Sequence, residues 1–286
     1  MNYIILDTEW DNHFWKKRKK CVNELVEIGA VKLDKDLQII DTFRSVIKSQ
    51  ISKKLSKRFV DFTGITTEEM MDGVPLLDAL SAFAEWSGDD CLTLTWSDSD
   101  IYTMLFNCKD FLGLDYIPGI TKYADAQKFV QSYLTDEGFI INSQISLENA
   151  ATCLNVTIDN IQFHRAFDDS LMTAELFKKA FSHCDLKPFI INTKNGKFYS
   201  RISFKPYIIN DIKSKYVKKS SMFFKCGSCH KKAKRQSDWH FKGSSFRAEF
   251  LCKNCGERFI GNISFKKNFD KVTVRKFKQE ITNEEK

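Results

Sequence analysis

The amino-acid sequence predicts an α/β protein, with a mixed five-stranded sheet flanked by helices and a small β-rich domain after it. Three apolar stretches with period-two alternation open the chain. Two further strands then alternate with helical segments, an order expected of a mixed sheet that carries helices on its faces. After about residue 220 the pattern changes to short aromatic strands around paired cysteines, which predicts a separate, smaller domain.

The composition is that of a soluble globular protein. The 286 residues are 43% hydrophobic and 28% charged, and they suffice for one large domain and a smaller one. No apolar run approaches the roughly 20 residues of a membrane span, and the start lacks a signal pattern. We therefore expect a cytoplasmic protein without a membrane partner.

The net charge of +7 conceals an asymmetry along the chain. Residues 1–190 contain 20 Lys+Arg and 29 Asp+Glu, a balance of −9, whereas residues 191–286 contain 24 and 8, a balance of +16. An acidic first part suits a body that binds cations, and a basic second part suits a polyanionic partner. No amphipathic helix of the interfacial kind is present, so nucleic acid is favoured over a membrane surface.

The first three strands are predicted at residues 3–10, 25–33 and 39–47, with a polar loop at 11–20. Helical residues follow from about 53 to 71, interrupted at 63–66, where Thr66 or Thr67 caps a short helix. The later elements are a helix from Pro75 to Trp86, a strand at 91–96, a helix from about residue 101, a strand at 121–124, and helices after Asp125, at 147–154 and at 166–181.

Two carboxylates, Asp7 and Glu9, stand at the end of the first strand. Side chains alternate across a strand, so both point to the same face, where their charges repel each other unless a cation lies between them. A solvated strand end is the ordinary alternative. Asp100 follows the fourth strand, and Asp169 begins the last long helix, five residues after His164. Acids that converge at strand ends of an open sheet predict a site for Mg²⁺ or Mn²⁺.

Two of these acids have close competitors. Asp98 competes with Asp100 and Asp168 with Asp169, and helix capping or compensation of the helix dipole is the ordinary role of an acid at a helix start. Asp100 is preferred because its spacing to Leu105 is that of the family which these motifs resemble, and Asp98 is then placed to cap the helix. Asp169 is preferred for its five-residue offset from His164.

Taken in order, these motifs resemble the DEDDh 3′–5′ exonucleases, which have an RNase H-like fold. The resemblance covers about residues 1–185 and rests on five motifs: Leu6-Asp7-Thr8-Glu9, Glu27-Ile28-Gly29-Ala30-Val31, Thr63-Gly64-Ile65-Thr66, Trp96 with Asp100 and Leu105, and His164-x-Ala166-x-x-Asp169. We expect the chain to resemble the stand-alone nucleases that trim RNA and DNA more than the proofreading domains of polymerases, since no polymerase follows.

The resemblance implies a role for each motif residue. Asp7, Glu9, Asp100 and Asp169 would bind two Mg²⁺ or Mn²⁺ ions, and His164 would take the proton from the attacking water. The product would be a nucleoside 5′-monophosphate from a 3′ end of RNA or single-stranded DNA. The alternative from another class is a protein with a nuclease-like body that binds nucleic acid or scaffolds a complex without cleavage.

Four cysteines form two C-x-x-C units separated by 22 residues: Cys226, Cys229, Cys252 and Cys255. This spacing predicts one structural Zn²⁺ in a closed tetrahedral site, and with the surrounding aromatic strands it resembles a zinc ribbon. We expect an exonuclease domain at 1–185, a hairpin at Asn195-Gly196 and a basic connector within 186–220, the ribbon at 221–275, and a charged tail at 276–286.

Basic and aromatic residues near both predicted metal sites are candidates for nucleic-acid contact. Around the acids they are Thr8, Trp10, Lys16, Lys17 and Arg18, and in the ribbon they are Lys231, Lys232, Lys234, Arg235 and Trp239. Trp239 lies in a polar context and is the best candidate for stacking on a base, although aromatic residues of so small a domain are needed for its core. A protein partner for the ribbon is the alternative.

Overall fold

The computed structural model describes residues 1–159 and 164–281, and it divides into two compact units. The first unit is Met1–Ser203 and the second begins at Phe204. Residues 186–203, predicted as part of a connector, therefore belong to the first unit. No helix among the described residues has the length and apolar character needed to cross a membrane.

The first unit is built on a mixed sheet in the order β3-β2-β1-β4-β5-β6. Strands β1, β2 and β3 are antiparallel, β1 pairs with β4 and β4 with β5 in parallel, and β5 pairs antiparallel with β6. The α/β class is confirmed, and the sheet has six strands because a two-residue strand joins the edge beyond the predicted five. The bounds are β1 Asn2–Trp15, β2 Lys20–Leu33, β3 Ile39–Val46, β4 Cys91–Thr95, β5 Lys122–Asp125 and β6 Ile191–Asn192.

Strands β1 and β2 form a longer hairpin than the sequence predicted. Their pairing continues to Trp15 opposite Lys20, with a register shift at Glu9/Trp10. The predicted loop at 11–20 is thus mostly strand, and only residues 16–19 form the turn. The polar character of these residues suggested a loop. Pairing with the opposite strand nevertheless satisfies their backbone hydrogen-bonding groups, so they form a strand.

Helices cover both faces of this sheet. Their bounds are α1 Lys57–Thr63, α2 Thr67–Asp72, α3 Leu76–Ser87, α4 Ser99–Asn107, α5 Ala126–Asp136, α6 Leu147–Leu154, α7 Ala166–Phe181 and α8 Lys197–Ser203, with a π-helical turn at Cys108–Leu112 and 3₁₀ turns at Lys187–Phe189, Thr193–Asn195 and Lys219–Ser221. Thr66 caps α2 in a capping box with Glu69, as one of the two predicted alternatives required.

The predicted hairpin at Asn195-Gly196 is wrong. The chain forms a 3₁₀ turn at Thr193–Asn195, and α8 follows directly. Phe198 and Tyr199 are both buried, with Phe198 against Tyr123 at 5.3 Å between ring centroids. A strand would direct these two neighbours to opposite faces, whereas a helix allows both to contact the core.

The alternation of β1 determines which side of the sheet carries the acids. Tyr3 and Ile5 belong to a core cluster formed with α5, α6 and α7, whereas Ile4 and Leu6 belong to the cluster formed with α3, α4 and α8. Asp7 and Glu9 continue the parity of Tyr3 and Ile5. They therefore emerge on the face against which α7 packs.

The second unit is a β-rich domain with the strand order β12-β11-β10-β8, in which β7 also pairs with β11 and β9 with β10. Its core is mainly phenylalanine, including Phe246, Phe250, Phe259 and Phe265. The predicted charged tail belongs to β12 as far as Glu280, and residues 282–286 lie outside the described residues. The bounds are β7 Tyr207–Ile208, β8 Lys234–Arg235, β9 His240–Lys242, β10 Ser245–Leu251, β11 Arg258–Lys267 and β12 Val272–Glu280.

Candidate active site

The predicted acids and the predicted histidine line one pocket of ≈ 550 Å³. Asp7 and Glu9 come from β1, Asp100 from the first turn of α4, and Asp169 from the first turn of α7, with His164 just before that helix. Residues separated by up to 162 positions in the chain thus meet beside the middle of β1 and beyond the end of β4. The predicted position of Asp7 and Glu9 at a strand end is wrong, because the pairing of β1 with β2 continues past them to Trp15. The structure brings together every member of this set.

Carboxylates crowd one another in this pocket. Oxygens of Asp7, Glu9 and Asp169 all lie within 4.8 Å of one another. Burial is the main cause that raises the pKa of Asp7 well above its usual value and that of Glu9 to about 9, and neighbouring carboxylates raise both further. Burial likewise raises the pKa of Asp169 to about 6. The nearby positive charge of the protein therefore does not balance the negative charge that these carboxylates carry when they are ionised.

The donor set fits a hard divalent cation. Oδ1 of Asp169 is buried and accepts no hydrogen bond from the described residues. A buried acceptor without a partner beside two other carboxylates is an arrangement that an Mg²⁺ or Mn²⁺ ion would satisfy, since both ions prefer oxygen ligands.

Thr8 holds Asp100 at the edge of the cluster. The backbone N–H and the hydroxyl of Thr8 both donate to Oδ1 of Asp100, at 3.1 and 2.8 Å. Burial nevertheless raises the pKa of Asp100 to about 7, against the effect of these bonds. Thr8 is 2% exposed. Its hydroxyl is therefore occupied within the protein, and its burial does not support the nucleic-acid contact predicted for it.

The two competing acids lie elsewhere. Asp98 lines a different pocket, and although it occupies the N-cap position of α4, its side chain makes no capping hydrogen bond. The capping role expected of Asp98 is therefore absent. Asp168 lies one residue before Asp169 in α7 and is not among the residues that line the acidic pocket within the described chain. The geometry favours Asp100 and Asp169.

A buried carboxylate on β2 fixes the start of α7. Glu27 has no exposed surface and accepts hydrogen bonds from Arg165 Nη2 at 2.9 Å, Ala166 N at 3.1 Å and Arg44 Nε at 2.9 Å. Sequence reasoning placed Glu27 in a strand motif but missed this role. The available signal was a charged residue inside an otherwise apolar strand, because a buried charge needs partners.

His164 lies at the rim of the pocket and is 38% exposed. Its backbone is in the left-handed region, with φ of 69°, and its N–H donates to Oδ2 of Asp169 at 3.2 Å. Its ring stacks on Phe62 at 3.7 Å between centroids, and Nε2 lies 4.0 Å from Oε1 of Glu148. Phe62 and Glu148 were not predicted. Three more aromatic residues line the pocket: Trp10, Phe59 and Trp96.

The basic turn between β1 and β2 has mixed surroundings. Lys16 and Lys17 are exposed. Arg18 lies over the ring of Trp15 at 4.5 Å and donates to Oδ1 of Asp110 at 2.9 Å. Part of the positive charge predicted to contact nucleic acid is therefore paired within the protein, and Lys16 and Lys17 are the more accessible of the three.

The second unit contains the predicted cysteine cluster. The Sγ atoms of the four cysteines all lie within 4.8 Å of one another. The Sγ atoms of Cys226 and Cys255 are 3.3 Å apart, and those of Cys229 and Cys252 are 3.4 Å apart. All are free thiols rather than disulfides. Four sulfurs converging from two knuckles suit a tetrahedral Zn²⁺.

The basic residues between the knuckles are exposed, and Trp239 is half-buried. Lys231 donates to Asn254 Oδ1 at 2.9 Å, and Arg235 lies 3.8 Å from Asp238. The ring of Trp239 is half-buried and packs on Phe250 at 5.7 Å, against the core of the unit. Trp239 thus contributes to the small core, and its stacking on a base stays a prediction. Lys232 and Lys234 are also exposed.

The fold and the acidic pocket together define a nuclease with the architecture of the DEDDh exonucleases. The chain belongs to the exonuclease (RNase_T) family, which matches residues 5–177. It is 26% identical over 201 residues to DNA polymerase III PolC-type of Clostridium perfringens (strain 13 / Type A), covering 69% of this chain and 12% of that protein. It is 27% identical over 131 residues to ERI1 exoribonuclease 2 of Xenopus laevis, covering 37% of this chain and 19% of that protein.

The chain thus spans less than a fifth of the length of either relative. Two solved structures share its fold. The nuclease domain of 3′hExo, a DEDDh family member, bound to rAMP, has a TM-score of 0.55 and 22% identity, and the match covers 64% of this chain and 93% of that one. Cell-death related nuclease 4 has a TM-score of 0.53 and 16% identity, and the match covers 81% and 87%.

Proposed function

We propose that this protein is a metal-dependent 3′–5′ exonuclease that hydrolyses RNA or single-stranded DNA to nucleoside 5′-monophosphates. The observation that carries the proposal is the cluster of Asp7, Glu9 and Asp169 within 4.8 Å, beside Asp100 and His164 in one pocket. These four acids would bind two Mg²⁺ or Mn²⁺ ions. A pair of such ions stabilises the attacking and leaving oxygens of an in-line displacement.

The side chains of the pocket have distinct tasks in this reaction. His164 accepts the proton of the attacking water, since an imidazole at the pocket rim is suited to proton transfer near neutral pH. The stacked ring of Phe62 restrains the imidazole, and Glu148 faces its Nε2. Thr8 orients Asp100 by two hydrogen bonds.

The aromatic lining suits the base of a terminal nucleotide. Trp10 and Trp96 are half-buried, and their rings offer surface on which a base of any identity can stack, whereas Phe59 is buried behind them. The 3′hExo nuclease domain is bound to rAMP, a nucleoside monophosphate, which supports a mononucleotide product in a pocket of this fold. The rival proposal of a non-cleaving scaffold has less support, because the complete set of acids is present and converges.

The test is a time course with 3′-extended, 5′-labelled RNA and DNA strands in Mg²⁺, Mn²⁺ or chelator. We expect stepwise shortening that requires metal, and we expect Asp169→Ala to lower the rate at least a thousandfold, about 4 kcal/mol of transition-state stabilisation. Asp168→Ala, which alters the adjacent acid on the same helix, is the matched control and should retain activity. Trimming by Asp169→Ala at the parent rate would contradict the proposal.

We propose a supporting role for the second unit, with one structural Zn²⁺ bound by Cys226, Cys229, Cys252 and Cys255. Its exposed basic residues add affinity for the phosphate backbone of the substrate, namely Lys231, Lys232, Lys234 and Arg235. The alternative is that the second unit docks a protein partner. Nucleic-acid binding that stays insensitive to salt after Cys226→Ser would favour this alternative. We also propose a cytoplasmic location, which the nine free cysteines support because thiols stay reduced there.

A further inference from the structure

A three-residue turn joins strand β4 to the helix that contributes Asp100 to the acidic pocket. Strand β4 ends at Thr95 and α4 begins at Ser99, so residues 96–98 form the turn. Asp100 is the second residue of this helix. Since each residue has only two soft dihedral angles, the direction in which α4 leaves the sheet is set by the conformation of very few residues.

The middle residue of this turn, Ser97, has a backbone conformation that serine rarely adopts. Its φ is 80°, in the left-handed region, where the Cβ atom of an L-residue crowds the following carbonyl oxygen. Glycine, asparagine and aspartate populate this region more readily than serine does. A serine persists in this conformation only where its surroundings hold it there.

Two hydroxyl groups hold the carbonyl of Ser97. The hydroxyl of Tyr123 donates to it at 3.0 Å, and the hydroxyl of Thr95 donates to the same oxygen. Tyr123 lies on β5 and Thr95 on β4, and these strands pair directly in the sheet. Because a carbonyl oxygen has two lone pairs, it can accept both bonds, and it keeps one donor if either hydroxyl is removed.

Both donors are buried, so water does not compete with them for the carbonyl. Thr95 has no exposed surface, and Tyr123 is 2% exposed. Burial raises the pKa of Tyr123 well above its usual value, so this hydroxyl keeps its proton and remains a donor. Neither side chain lines the acidic pocket in the part of the chain that the structure describes. Any effect of the two hydroxyls on the acids therefore acts through the turn.

The position of Asp100 depends on contacts from two directions. Thr8 on β1 donates directly to its carboxylate, whereas β4 and β5 hold the backbone three residues before it. Without both hydroxyls, Ser97 can relax out of the left-handed region, and α4 then leaves β4 in a different direction. Such a change moves the carboxylate of Asp100 relative to Asp7 and Asp169, which come from other elements.

We propose that Tyr123 and Thr95 are positioning residues for the metal-binding carboxylate of Asp100, because their hydroxyls hold the turn that orients α4. The inference rests on the proposed function, since metal binding by Asp100 belongs to that proposal. It adds two residues outside the pocket on which the affinity for metal ions depends.

The test is a titration of the full chain with Mn²⁺ in the absence of substrate, followed by electron paramagnetic resonance of the free ion. We expect Tyr123→Phe and Thr95→Val each to raise the apparent dissociation constant about threefold, because one donor remains. The double variant should raise it about thirtyfold, the equivalent of roughly 2 kcal/mol and more than the product of the single effects.

Tyr199→Phe is the matched control. It also removes a buried tyrosine hydroxyl of the first unit, but this one donates to the carbonyl of Ile120 at 3.2 Å rather than to the turn before α4. We expect this variant to bind Mn²⁺ with the parent affinity. A loss in Tyr199→Phe equal to that in the double variant would indicate a general effect of removing buried hydroxyls and would overturn the inference.

A rescue variant separates positioning from a general loss of structure. Asparagine tolerates the left-handed region, and its side-chain oxygen can accept the N–H two residues on. The hydroxyl of Ser97 already accepts that N–H, from Ser99 at 3.3 Å. We therefore expect Ser97→Asn, added to the double variant, to restore most of the lost Mn²⁺ affinity. Damage to the core by the double substitution would not be repaired by a change in the turn.

The remaining outcomes separate this inference from the proposed function. If the parent protein binds Mn²⁺ and the double variant binds it equally well, the two hydroxyls do not position Asp100, while the exonuclease proposal stands. A double variant that loses affinity and is not rescued by Ser97→Asn also overturns the inference, since the effect then does not depend on the turn. If the parent protein binds no Mn²⁺, both proposals are wrong.

Discussion

Replacement of Glu27 by alanine should destabilise the first unit more than a typical substitution does. The carboxylate is fully buried, and its removal leaves the guanidinium of Arg165, whose side chain is 11% exposed, with the longer contact to Glu69 at 3.9 Å in place of the 2.9 Å bond to Glu27. Removal of one partner from a buried ion pair costs about 3–5 kcal/mol. The N–H of Ala166 also loses its acceptor at the start of α7. Since these losses share one cause, we expect a total of about 4 kcal/mol.

The assay is urea unfolding followed by tryptophan fluorescence. Four of the five tryptophans, all but Trp239, lie in the first unit, so the signal reports mainly on that unit. Glu27→Gln keeps an acceptor and should lose less than Glu27→Ala. The control is Glu175→Ala, which removes an acid from α7, the helix whose start Glu27 binds. Glu175 pairs with Lys178 near the surface, and its removal should cost under about 1 kcal/mol. A Glu27→Ala variant as stable as the Glu175→Ala variant would refute the argument.

Three more predictions concern pH, zinc and salt. In chelator, the free energy of unfolding of the first unit should fall as pH rises from about 5 to about 9. The folded state raises the pKa values of Glu9, Asp100 and Asp169 to about 9, 7 and 6, so it retains protons that the unfolded state releases at lower pH. A flat profile of stability against pH in thermal denaturation would contradict this. Cys226→Ser should lower the zinc content, measured by mass spectrometry, from one ion per chain, and retention of that ion would exclude the four-cysteine site. Double substitution Lys16→Ala and Lys17→Ala should reduce the slope of log K against log salt by about 1.4 for a single strand, and an unchanged slope would remove both residues from the binding surface.

Local patterns in the sequence predicted the features that depend on short separations. The alternation of β1 correctly placed Asp7 and Glu9 on one face, since two residues in a strand need only the pleat to define their directions. The cap at Thr66 follows from residues three apart. The five-residue offset from His164 to Asp169 is likewise local, and the structure joins these two by a hydrogen bond.

Features that depend on distant partners could not be predicted in this way. The polar residues 11–20 looked like a loop because their pairing partners lie on the other strand. The stacking of Phe62 on His164 joins residues 102 positions apart, and the contact of Glu27 with Arg165 joins residues 138 apart. Neither pair has a spacing that a helix or strand would produce, so only the tertiary fold reveals them.

Strand β2 contributes none of the clustered acids, but its contacts with α7 determine the position of Asp169. A Cβ atom on Gly29 of β2 would lie 2.2 Å from the backbone nitrogen of Phe167, so only glycine allows α7 to approach this closely. Glu27, two residues earlier on the same strand, binds the first residues of that helix. These two contacts set the distance from β2 to α7, and β2 pairs residue by residue with β1, with Asp7 opposite Gly29. The separation between Asp7 and Asp169 is therefore determined by β2, because it holds the strand that carries one acid and the helix that carries the other.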